Sequence, residues 1–68
     1  MGWVVVYIAP NRAVAKVMKE LLEKEGLLAA IRPLGGYYTG GKPGQFEVLV
    51  PSSEAQDASE LLTRSFRP

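Results

Sequence analysis

Residues 3 to 8 read Trp-Val-Val-Val-Tyr-Ile, six β-branched or aromatic side chains in succession, with Pro10 following Ala9. Such side chains lose rotamer freedom in a helix and pack well on a pleated surface, so the run predicts a strand that Ala9-Pro10 brings to an end. No polar residue alternates along it. A strand of this kind places apolar groups on both faces of its sheet, whichever way it is turned. Both faces therefore ask for cover, and a chain of 68 residues has little to cover them with.

Asn11 stands before apolar residues at helical spacing, Val14, Val17, Met18, Leu21 and Leu22. Its side chain is suited to cap the first free N–H groups of a helix from Arg12 to about Glu25, and Gly26 is the expected stop. Arg12, Lys16, Lys19, Glu20, Glu23 and Lys24 fall on the opposite, solvated face, with Glu20 and Lys24 in the favourable i,i+4 order. Leu27 to Arg32 predicts a second strand, closed by Pro33. Phe46 to Val50 alternates Phe, Glu, Val, Leu, Val and predicts a third, halted at Pro51. Ser52 or Ser53 then opens a second helix reaching Arg64 or Phe66, with Ser53 and Gln56 spaced as a capping box. Ala55, Ala58, Leu61, Leu62 and Phe66 form its apolar stripe.

The order is β-α-β-β-α. A right-handed crossover leaves the first two strands parallel, and the third returns antiparallel between them. The expected architecture is α+β, a single ferredoxin-like two-layer sandwich over residues 1–68 with a three-stranded sheet of order 1-3-2 and both helices on one face. Val4, Val6 and Ile8 are expected to face the helices and Trp3, Val5 and Tyr7 the uncovered side, the alternative register exchanging the two sets with the same surplus of apolar residues. An exposed patch of that kind marks an interface, so Trp3, Val5 and Tyr7 are the expected oligomer contact of a dimer or trimer. Small domains without disulfides or metals also recover missing stability by associating.

The Val-Tyr-Ile-Ala-Pro-Asn run (6 to 11), Leu21-Leu22-Glu23 followed by Gly26, the strand end Val48-Leu49-Val50-Pro51, and Ala58 with Leu61-Leu62 resemble a small bacterial family, the prokaryotic signal transducing proteins. The likeness covers nearly the whole chain, and Ala-Pro-Asn is its most specific element. It implies a ferredoxin-like domain, PII-like in shape, that senses a ligand or binds a partner. The family defines no catalytic residues, so the resemblance assigns none here.

The thirteen-residue connection from Pro33 to Gln45 holds five of the seven glycines, with Tyr37, Tyr38, Thr39 and Lys42 among them. Connections this long in compact domains are usually functional or mobile, and in PII proteins the corresponding loop grips partners. Adjacent tyrosines and a lysine suit an adaptable contact surface. Arg32, Gly36, Tyr37, Tyr38, Thr39 and Lys42 are accordingly the expected residues for a small ligand or an unidentified protein partner. The bland alternative is a disordered hairpin tip, or one whose tyrosines lie back over the apolar sheet.

Other chemistries fare poorly. Gly36 to Lys42 satisfies seven positions of a phosphate-binding P-loop, but Pro43 replaces the Ser or Thr that magnesium needs, and a strand follows instead of a helix. Weak anion binding by the glycine-rich backbone with Lys42 or Arg32 is a lesser alternative. With Cys 0 and His 0 there is no thiolate, imidazole base or ordinary zinc site, and the carboxylates fall mostly on helix surfaces. A pyridoxal-type cofactor needs a cavity that two thin layers do not enclose. No enzyme, cofactor or metal is expected. The formal charge of +1 and Glu47 on the open face argue against nucleic acid, leaving weak RNA binding a distant third reading behind an adaptor that docks a protein by its sheet. No run is long enough to span a membrane and no secretory leader is evident, so a cytoplasmic location is expected.

Overall fold

The computed structural model describes residues 2–34 and 44–65. Strand β1 (Trp3–Ala9) leads to helix α1 (Arg12–Lys24), strand β2 (Ala30–Pro33), strand β3 (Phe46–Pro51), a single 3₁₀ turn (Ser52–Glu54) and helix α2 (Ala55–Ser65). The sheet runs β1-β3-β2, and β3 is antiparallel to both neighbours, so β1 and β2 run parallel to each other. Both helices contribute to one apolar cluster with the sheet. Ala15, Met18 and Leu22 of α1 meet Ala58 and Leu62 of α2 over Val48, Val50 and Ala9. Leu22, Val48 and Val50 are the largest fully buried side chains, each contributing on the order of 2 kcal/mol of hydrophobic stabilisation. No described helix is long and apolar enough to cross a membrane.

Local chemistry fixes the ends of α1. Asn11 Oδ1 accepts the Val14 N–H at 2.9 Å, the cap its side chain was expected to provide. At the other end Gly26 N–H donates to Glu23 C=O at 2.9 Å and Leu27 N–H to Leu22 C=O at 3.0 Å. These paired bonds form a Schellman closure, which requires the left-handed backbone that Gly26 adopts with φ 87°. The chain then turns Leu27 into the core beside Leu22.

Five local expectations are corrected. Strand β2 occupies Ala30–Pro33 instead of starting at Leu27, since its extent is set by pairing to β3 and not by its own weak propensity. Pro33 sits inside it because β2 is an edge strand, where a missing N–H breaks no bond to β3. At the second helix the expected Ser53–Gln56 capping box gives way to the 3₁₀ turn, and the Gln56 side-chain amide donates to Glu60 Oε2 at 3.3 Å. On α1 the ion pair formed is Lys19–Glu23 at 2.9 Å, not Glu20–Lys24. Val17, expected on the buried stripe, is 57% exposed.

Candidate functional site

The side of the sheet away from the helices follows from register. Residues opposite each other in an antiparallel ladder share a face, and alternate residues along a strand point to opposite faces. Val48 and Val50 lie in the helix-side core, so Glu47 and Leu49 point the other way. Their partners go with them: Val5 opposite Leu49, Ile8 opposite Glu47, Ala30 opposite Leu49 and Arg32 opposite Glu47.

One irregularity decides which β1 residues join this face. The pairing steps from Val5 opposite Leu49 to Tyr7 opposite Val48, leaving Val6 as an extra residue in a β-bulge. A bulge shifts the phase of everything beyond it. Tyr7 thereby turns to the helix side, where it packs against the core, and Ile8 turns out to be 41% exposed. The expected grouping of Trp3, Val5 and Tyr7 is corrected to Trp3, Val5 and Ile8. Expecting Val4, Val6 and Ile8 to cover the core held strict alternation through a run that does not keep it.

Trp3 and Val5 stand 50% and 38% exposed, whereas Leu49 at the centre of the face is only 5% exposed. Next to Leu49 lies a polar rung. Arg32 Nε donates to Glu47 Oε1 at 2.7 Å, and an Arg32 terminal nitrogen lies 2.6 Å from the same oxygen. The Arg32 side chain is 62% exposed but that of Glu47 only 14%, so the carboxylate is the more covered member of the pair. Arg32 is thus the basic partner of Glu47 across the β2–β3 ladder.

Arg32 also lies near the start of the long connection. Leu34 N–H donates to Gln45 C=O at 2.9 Å, one rung beyond Pro33 opposite Phe46, so the β2–β3 hairpin stem extends to these two residues. Gly44 takes φ 91° just before the stem begins again, a backbone position that favours glycine. The remaining expected loop residues, Gly36, Tyr37, Tyr38, Thr39 and Lys42, lie outside the described residues.

Elsewhere, shallow hollows lie among the described residues, one of them on α2 beside Ser59, Glu60, Thr63 and Arg64. Another, of about 280 Å³, is lined by Ala13, Val14, Val17 and Met18 of α1. A third, about 240 Å³, lies between α2 and the end of α1, with Glu25, Asp57, Glu60 and Arg64 in its wall. Among the described residues no group of three His, Cys, Asp or Glu side chains could hold a metal ion. The two half-buried carboxylates are both engaged: Glu47 by Arg32, and Glu54 by the Leu28 N–H at 2.9 Å.

Sequence reasoning missed Ile8, the exposure of Val4 and the Glu54–Leu28 bond. A period-2 reading cannot find a bulge inside an unbroken apolar run, and a bond between residues 26 positions apart leaves no local signal. Comparison with protein-family models, with curated proteins and with solved structures finds no match.

Proposed function

We propose that the chain is a non-enzymatic binding and signal-transducing module of ferredoxin-like, PII-like design. It acts in the cytoplasm as a homo-oligomer and presents the Pro33–Gln45 connection to a small ligand or protein partner. The observation that carries this reading is the closed stem: the Leu34–Gln45 bond holds both ends of the connection at one end of the sheet. A segment tethered at both ends loses less entropy on binding than a free tail. Its glycines and tyrosines supply adaptable contact area, and ordering on binding costs entropy, which suits modest and switchable affinity.

Arg32 and Glu47 adjoin that stem on the face away from the helices. An anionic ligand arriving at the connection competes with Glu47 for the guanidinium, which links ligand capture to the sheet. Catalysis is disfavoured by the absence of His and Cys from the sequence and by the engagement of both half-buried carboxylates.

The test is titration of ¹⁵N-labelled protein with nucleotides and anionic metabolites, read at the amides of Arg32, Leu34 and Gln45 and of residues 35–44. Saturable shifts at these positions are expected. Silence there, with shifts instead at Trp3, Val5 and Ile8 on adding a protein partner, favours a second reading: an adaptor subunit that docks by its sheet face. The exposure of those three side chains is what supports that alternative.

A further inference from the structure

The exposed apolar residues of β1 are not confined to one face. Trp3 and Val5 belong to the side away from the helices, but Val4, opposite the core residue Val50, belongs to the helix side and is still 37% exposed. Three successive residues are exposed on alternating faces, and the feature they share is the strand's outer edge. A partner lying flat on the face away from the helices would leave Val4 in water.

The backbone points the same way. Gly2 C=O accepts the Ser52 N–H at 2.9 Å, so the peptide groups of Gly2 aim toward β3. Alternation in an antiparallel ladder sends those of Trp3 outward, of Val4 inward and of Val5 outward. Trp3 and Val5 thus offer two N–H and two C=O groups at an edge that no other strand among the described residues covers, since β1 is terminal in the sheet. Only another strand satisfies such a row in register. Beyond Val5 the bulge breaks the alternation, so the regular stretch is 2–6 and its centre is Val4.

We infer that β1 pairs antiparallel with β1 of a second copy about a two-fold axis at Val4. This takes up the self-association in the reading above, and rests on it in that respect alone. Trp3 then exchanges both backbone bonds with Val5 of the partner, Val5 does the same with Trp3 of the partner, and the two Val4 side chains meet on the helix side. One contact covers Trp3, Val4 and Val5 together. The two sheets become one sheet of six strands.

Charge and symmetry select a second copy of β1 as the occupant. Residues 2–10 carry no charge, so two such strands lie side by side without repulsion, whereas β2 and β3 carry Arg32 and Glu47. The other sheet edge is blunted by its four-residue length, by exposed Arg32 and by Pro33. With only one edge open, pairing is isologous and stops at the dimer, and a growing filament is blocked.

The chain has no cysteine, which makes crosslinking a clean test. Val4→Cys is expected to give a disulfide-linked dimer under mild oxidation, because facing residues of this type lie about 4.5 Å apart at Cα, within disulfide reach. Val17→Cys, on the exposed α1 patch, is expected to stay unlinked. Val4→Lys sets like charges opposite each other and should raise the dimer Kd roughly tenfold or more, with the circular dichroism of the wild type. Val5→Pro removes an outward N–H and should do the same without opening the β1–β3 ladder. Preferential linking at Val17 overturns the edge geometry. So does a Val4→Lys protein that dimerises as the wild type does. A wild-type chain that sediments as a monomer at 100 μM, a chosen test concentration, overturns self-association as well, whereas none of these results alters the titration at Leu34 and Gln45.

Discussion

Glu54 Oε1 accepts the backbone N–H of Leu28 at 2.9 Å, tying the turn that opens α2 to the connection that follows α1. Leu28 lies ahead of β2, where no strand partner is available to its N–H, and the carboxylate supplies one. The bond is solvent-accessible, so its net contribution is modest. Glu54→Ala is expected to lower unfolding free energy by about 1 kcal/mol, and Glu54→Gln, which keeps an acceptor oxygen, by less than half of that. Urea midpoints of the two variants check this, and equal losses would show that the charge and not the hydrogen bond matters.

Gly26 closes α1 with φ 87° and has open space where a Cβ would stand. Any cost of substitution is therefore conformational and not steric. Gly26→Ala is expected to destabilise by about 1 kcal/mol, and Gly26→Asn, which tolerates the left-handed region better, by less. Thermal melts that rank alanine at or above asparagine would contradict the Schellman closure.

Arg32 and Glu47 differ in how far they are covered, and the pair should respond unequally to its two deletions. Arg32→Ala strands a largely covered carboxylate, whereas Glu47→Gln leaves an exposed guanidinium that water can serve. The first is expected to cost about 1 kcal/mol and the second a few tenths, with Arg32→Ala/Glu47→Leu recovering most of the loss. Chemical denaturation of the three variants measures the asymmetry, and equal single losses would mean the pair contributes only surface electrostatics.

Where the chain carries punctuation, its fold is legible from residue types. Asn11, Gly26 and Pro51 mark boundaries because capping, left-handed turning and a missing N–H are local properties. The strand order 1-3-2 also follows from local elements, through the handedness of the first crossover. The candidate site is less legible. Trp3 and Val5 are found by alternation, but exchanging Tyr7 for Ile8 depends on a bulge that answers to the pairing with β3. Strand β2 has the same origin: Ala29 and Ala30 say little about strand or coil, and pairing with Leu49, Val48, Glu47 and Phe46 sets its span. Arg32 was legible as a functional candidate, yet its commitment to Glu47 depends on register across the hairpin.

Amide hydrogen exchange at tens of micromolar protein, a chosen working range, reads the open edge of β1 most directly. Val4, whose N–H is directed at β3, should be slow whatever the association state. If the edge is occupied by a second copy, Trp3 and Val5 should be protected alongside it and lose that protection on dilution or in Val4→Lys. If Trp3 and Val5 exchange at unprotected rates at every concentration while Val4 stays slow, β1 is an idle edge and the self-association built on it is wrong.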